Sequence, residues 1–246
     1  MTDFIETAAG RRIAYHRSEG QGPWIVFLGG FKSDMGGTKA VHLEGWARAS
    51  GRAFLRFDYS GHGESSGAFE DGAIGDWAED ARVAIETLTD GPIVLVGSSM
   101  GGWISLLVAR DLDRVAGLVG IAAAPDFTED SMWASFTDDQ RRALHDDGRV
   151  ALPSEYGDPY VITRRLIEDG RDRLVLRDPI REIGPIRLLQ GTEDADVDRQ
   201  VALNLLDHLP GDVRLTLVKG ADHRFSTPEC LALVELEIED VLTALC

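Results

Sequence analysis

The chain has 246 residues, 43% of them hydrophobic and 27% charged, which suits a soluble globular protein with a sizeable buried core. With 42 acidic against 25 basic side chains the net charge is −17, a field that repels phosphate backbones and excludes nucleic acid as an expected partner. The two cysteines, Cys230 and Cys246, form no disulfide framework or metal pattern. The start of the chain lacks the basic and apolar regions of a leader, and the longest apolar run is about half a membrane span, so a cytoplasmic protein with no membrane span is expected.

In chain order, apolar patterning predicts strands alternating with helices, the pattern of a mostly parallel sheet covered on both faces. Arg12–Arg17 alternates as a half-buried strand, and Trp24–Leu28 is a continuous apolar run ending at Gly29-Gly30. Helical spacing over Thr38–Ala49 precedes a strand at Ala53–Tyr59 and the turn Ser60-Gly61-His62-Gly63. Trp77, Ala81, Ala84, Ile85 and Leu88 recur as on one helix face. A strand at Pro92–Gly97, a helix at Met100–Arg110 and a strand at Val115–Ala124 follow. The rhythm then breaks over Pro125–Pro185, with short helices expected at Thr137–His145 and Tyr160–Asp169. Structureless loops of that length are rare in compact domains, so residues 125–180 are expected to be a helical lid inserted into a single domain spanning 1–246. Strands at Ile186–Gln190 and Val213–Val218 and helices at Asp198–His208 and Cys230–Leu245 complete the pattern.

The strand–turn–helix at Gly97-Ser98-Ser99-Met100-Gly101 fits G-x-S-x-G, in which a sharp turn exposes the central hydroxyl above the sheet, here Ser99. A serine hydroxyl needs a base to take its proton. Of six histidines, His223 lies in a loop after a strand and late enough to follow both nucleophile and acid; His62, in the turn after another strand, is its one serious rival. The acid must lie between them at a strand end, where Glu193, Asp194, Asp196 and Asp198 are available, and spacing after Gly191 favours Asp194, with Asp196 next. Backbone N–H groups of Met100, just after the nucleophile, and of Phe31, just after Gly29-Gly30, are the expected oxyanion donors.

These segments, with Asp58-Tyr59-Ser60-Gly61-His62-Gly63-Glu64-Ser65 and Asp222-His223, resemble the α/β-hydrolase superfamily over nearly the whole chain. Within it, Gly37-Thr38-Lys39-Ala40, Arg56–Gly61, Gly101-Gly102-Trp103, Pro185–Leu189 and Ala221-Asp222-His223-Arg224 are similar to the mitochondrial palmitoyl-protein thioesterases that are also acyl-glucuronide esterases. The resemblance implies an eight-stranded sheet, a lid between strands six and seven, no metal and no organic cofactor. It also implies cleavage of carboxylic esters, thioesters or acyl glucuronides.

The expected partner is therefore a small-molecule acyl ester or thioester, or an acylated protein. Trp133, Phe136, Tyr156 and Tyr160 of the lid are apolar enough to wall an acyl pocket. Arg164, Arg165, Arg171 and Arg173 sit where they would offset the acidic field for a carboxylate-bearing substrate. The rival readings are a peptidase, a carbon–carbon hydrolase or a lipase using the same three side chains, and a non-catalytic binding protein on the same fold.

Overall fold

The structure is a computed structural model and describes residues 2–153 and 159–245. Its centre is an eight-stranded sheet built from β1 (Asp3–Glu6), β2 (Arg12–Ser18), β3 (Gln21–Leu28), β4 (Arg52–Phe57), β5 (Ile93–Ser98), β6 (Val115–Ile121), β9 (Ile186–Gly191) and β10 (Val213–Val218). The spatial order is β1-β2-β4-β3-β5-β6-β9-β10. Only the β1–β2 and β2–β4 pairs are antiparallel; from β4 to β10 the sheet is parallel. The continuous apolar runs of β3, β5 and β6 follow from burial on both faces, which parallel sheets require because helices cross over them.

Alternate side chains of these strands enter two cores. Val26, Leu28, Leu95, Leu118 and Leu188 pack with α2 (Ile74–Leu88), α3 (Met100–Asp111) and α6 (Arg199–His208) on one face. Ile25, Phe27, Val94, Val96, Val119 and Ile121 pack with α1 (Thr38–Ala49) and α7 (Pro228–Ala244) on the other. The expected strands and helices of this frame are present, with ends displaced by a few residues, and β1 is an edge strand that patterning did not reveal.

Between β6 and β9, the sixth and seventh strands of the sheet in chain order, the chain leaves the sheet. It forms a π-helical turn at Thr128–Trp133, α4 (Asp138–Asp147), β7 (Arg149–Leu152), β8 (Tyr160–Thr163) and α5 (Arg164–Arg171). The segment is therefore not purely helical, because β7 and β8 pair antiparallel. The helix expected from Tyr160 begins only at Arg164: Tyr160-Val161-Ile162-Thr163 is rich in β-branched residues and extends as a strand, after which the Thr163 hydroxyl accepts from Leu166 N–H to start α5. Asp126, fully buried at the base of this segment, accepts the N–H groups of Val175 at 2.8 Å and Leu176 at 3.0 Å and so ties its two ends together.

Candidate active site

The site forms where the parallel strands end. Ser99 lies between β5 and α3 with φ 54° and ψ −120°, a conformation a non-glycine residue keeps only when its surroundings hold it. Here the backbone is pinned at both ends. Ser99 N–H donates to Ile121 O at 2.9 Å, and Ser99 O accepts from Gly102 N–H at 2.9 Å and Ala124 N–H at 3.0 Å. The glycines of the motif are spatial necessities. A Cβ on Gly97 would stand 2.4 Å from Gly101 O, and one on Gly101 would stand 2.1 Å from Leu28 O. The helix consequently starts directly against the ends of β3 and β5.

His223 comes from the loop between β10 and α7, and its Nε2 stands 3.1 Å from Ser99 Oγ. Its Nδ1 stands 2.9 Å from Asp194 Oδ2. Asp194 follows β9, and its carboxylate is fully buried while the imidazole is 21% exposed. Both carboxylate oxygens are occupied: Oδ2 also accepts from Gln190 Nε2 at 2.9 Å, and Oδ1 accepts Asp196 N–H at 2.9 Å and Val197 N–H at 2.8 Å. Burial pushes the Asp194 pKa up, but the hydrogen bonds from His223 and Val197 outweigh it and hold the acid below its ordinary value. The two loops interlock. Gly191 has no room for a Cβ, which would meet Ala221 O at 2.2 Å, and Glu193 N–H donates to Ala221 O at 3.0 Å. Lys39 Nζ, whose pKa is lowered to about 8 by burial, donates to Arg224 O beside the imidazole.

Among the four candidate acids only Asp194 reaches the imidazole through a described hydrogen bond; Asp198 instead caps α6 by accepting Gln200 N–H at 2.7 Å. The Oδ and imidazole atoms of Asp194, Asp196 and His223 lie close enough together to hold a cation. Both imidazole nitrogens already face Ser99 and Asp194, however, which leaves none to ligate. The rival base His62 is 4% exposed and packs against Tyr59, Phe69 and Trp77, with its two ring nitrogens facing Lys32 N–H and Ser60 O rather than the Ser99 hydroxyl.

Gly30 packs directly on the nucleophile, since a Cβ there would lie 3.3 Å from Ser99 Cβ. Phe31, the expected oxyanion donor, is the next residue of that loop. Met100 opens α3, where the first N–H groups of a helix have no intrahelical acceptor and carry the positive end of its dipole.

The expected pocket residues separate. Tyr160 packs on the Phe31 ring at 5.9 Å between centroids. Trp133 and Phe136 contact each other at 6.1 Å, with Arg141 and Arg171 over the Trp133 ring, so these two pack within the inserted segment. Tyr156 lies outside the described residues. Each of the four arginines has an acid within 4 Å: Arg164 faces Glu168 and Arg173 faces Asp169 at a spacing of four residues, Arg165 faces Asp76 of α2, and Arg171 faces Glu129 of the π-helical turn.

Sequence reasoning missed Phe69, Trp77 and Phe127, which surround Phe31 edge-on at 4.8–6.0 Å. It also missed Gln190, fully buried near the end of β9; a polar side chain following Leu188-Leu189 in an otherwise buried strand was the signal available.

A serine, an imidazole and a carboxylate joined in that order at the ends of parallel strands define a hydrolase site. The chain belongs to the alpha/beta hydrolase family, whose profile matches residues 25–234. The mitochondrial palmitoyl-protein thioesterase of Rattus norvegicus is 34% identical over 238 residues, which is 95% of this chain and 80% of that protein. A hydrolase of Agrobacterium vitis S4 is 40% identical with a TM-score of 0.94, covering 98% of each chain. The mouse alpha/beta hydrolase domain-containing protein 10 is 32% identical with a TM-score of 0.91, covering 100% of both.

These relatives correct the expected location. The rat protein and its counterparts in four other mammals are mitochondrial by name, which removes the support for a cytoplasmic assignment. The physical reason is that two cysteines and a short longest apolar run bear on redox chemistry and membrane spanning, and do not specify a compartment. Among the described residues no helix is long and apolar enough to cross a membrane.

Proposed function

We propose that the chain is a serine hydrolase that cleaves carboxylic esters and thioesters through an acyl-enzyme on Ser99. The observation that carries this reading is the unbroken relay from Ser99 Oγ to His223 Nε2 at 3.1 Å and from His223 Nδ1 to Asp194 Oδ2 at 2.9 Å. His223 takes the hydroxyl proton as Ser99 attacks the acyl carbon, and the buried Asp194 carboxylate stabilises the imidazolium without accepting the proton. The Phe31 and Met100 amides hold the oxyanion. The alcohol or thiol leaves with the proton from His223, and water releases the acid by the same route.

The substrate class follows from the relatives and from the aromatic surroundings of Phe31. Proteins named as palmitoyl-protein thioesterases are among those this chain is similar to, so an acyl thioester, on a small molecule or on an acylated protein, is the first substrate to test, with acyl glucuronides next. The 125–180 segment acts as a lid whose Tyr160 meets Phe31 at the oxyanion loop, with Trp133 and Phe136 stiffening it. A fluorophosphonate probe tests the nucleophile: wild type is labelled and Ser99→Ala is not. Hydrolysis of p-nitrophenyl esters of rising chain length, an acyl thioester, an acyl glucuronide and a peptide amide tests the bond. Amide cleavage outrunning both oxygen and sulfur esters contradicts the reading.

A further inference from the structure

The turn Asp58-Tyr59-Ser60-Gly61-His62-Gly63 has no part in the chemistry above, yet its side chains grip the loop that presents Phe31 N–H. Tyr59 Oη donates to Gly29 O at 3.3 Å, His62 Nε2 accepts Lys32 N–H at 3.3 Å, and the Asp58 carboxylate accepts Met35 N–H at 2.6 Å. The three bonds fall on both sides of Phe31. The peptide between Gly30 and Phe31 is also held at its carbonyl end, where Gly30 O accepts the Ser33 hydroxyl at 2.9 Å and Ser33 N–H at 3.2 Å. Lys32 has φ +57°, a conformation that a lysine keeps only under restraint.

His62 supplies that restraint in one defined form. Ser60 O can only accept, so Nδ1, 3.2 Å away, carries the proton; Lys32 N–H can only donate, so Nε2 is bare. Burial pushes the His62 pKa down to about 4, which keeps the ring neutral at working pH. Tyr59, Phe69 and Trp77 fix its orientation, with ring centroids 5.1–5.6 Å away. Gly63 is part of the same device. A Cβ there would stand 2.1 Å from Asp58 Oδ2, so only glycine leaves the carboxylate free to accept Met35 N–H and Glu64 N–H together.

We propose that His62 is a positioning residue of the oxyanion site, which aims Phe31 N–H at the reacting oxygen by holding the next amide, Lys32 N–H, on its bare Nε2. This rests on Phe31 being an oxyanion donor, as argued under Proposed function. Misaiming a donor by about an ångström costs up to roughly 100-fold in rate. The effect belongs to the transition state, because the ground-state carbonyl asks less of that amide.

The test compares His62→Phe, which keeps an aromatic ring but no acceptor, with His62→Gln, whose amide oxygen can replace Nε2. Each is assayed for kcat and KM on p-nitrophenyl acetate, for melting temperature, and for affinity toward an aryl trifluoromethyl ketone. That ketone adds to Ser99 Oγ, passes the hydroxyl proton to His223 and leaves its own oxygen as an oxyanion in the site. The expected result for His62→Phe is a kcat loss of about 10- to 100-fold, KM within about twofold, and a matching loss of ketone affinity. His62→Gln should recover kcat and ketone affinity to within about threefold of wild type. An unchanged kcat in His62→Phe, or a kcat loss with ketone affinity intact, overturns the proposal. If the Phe variant does not fold, a folded Gln variant with a large kcat loss overturns it and one with near wild-type kcat supports it. Failure of the underlying reading is separately visible, as hydrolysis that survives in Ser99→Ala.

Discussion

At the residue scale the site depends on one buried carboxylate doing several jobs. Asp194 orients His223, accepts two backbone amides and is braced by Gln190. Asp194→Asn should keep the fold but favour the wrong imidazole tautomer, lowering kcat by about three to four orders of magnitude in an ester assay. The same residue should leave a mark on stability. Its pKa lies below the ordinary 3.8 in the folded state, so its contribution is present above that value and is lost as pH falls through the folded-state value. In urea unfolding, the stability gap between wild type and Asp194→Asn should therefore narrow from pH 6 toward pH 3.5; a constant gap contradicts the linkage. Ser99, Asp194 and His223 were legible because a strand end, a turn residue and chain order mark each of them. Composition did not separate Asp194 from its acidic neighbours; spacing after Gly191 favoured it, and in space it is the one whose carboxylate meets His223 Nδ1. His62's supporting role was hidden because its bond to Lys32 N–H spans thirty residues, and Gln190's because a polar side chain in a buried strand does not by itself say which carboxylate it braces.

At the element scale the strand–turn–helix around Ser99 is assembled by missing side chains. Gly101→Ala places a methyl 2.1 Å from Leu28 O, against backbone that cannot retreat without moving the oxyanion loop. It should destabilise the protein by about 1–3 kcal/mol or more, measured by thermal or urea unfolding, and depress kcat in whatever remains folded. Gly45, inside α1, has open space where a Cβ would stand and serves as the control: Gly45→Ala should be neutral or stabilising by up to about 1 kcal/mol, since alanine is the better helix former. Buried strands and amphipathic helices were readable because burial on both faces of a parallel sheet leaves long apolar runs. The pairing of β7 with β8 was not readable, since two strands of four residues each owe their existence to each other and to the packing beneath them.

At the scale of the whole molecule the net charge is −17, and the arginines of the inserted segment face acids. Anionic esters should therefore meet a repulsive field, and raising ionic strength should increase kcat/KM for them while leaving neutral esters nearly unchanged. Steady-state kinetics of a neutral and a carboxylate-bearing p-nitrophenyl ester across a salt series measures this; equal salt response of the two rules out the field as the cause. The expectation that the lid arginines offset the charge overlooked their partners. Arg165 reaches Asp76 across the gap to α2, a pairing of residues 89 positions apart that no local pattern marks.

The sequence by itself determined the alternation of strands and helices, the nucleophile turn and the histidine loop, because each is written in residues adjacent along the chain: periodicity, glycine spacing and order. Tertiary structure alone decided that His62 is buried against Lys32 N–H and that Arg165 and Arg171 meet acids on other elements, and it brought Asp194, which spacing favoured, into contact with His223. Those outcomes are set by distances of a few ångströms between segments far apart in the chain, and hydrogen bonds and ion pairs depend on that separation in space.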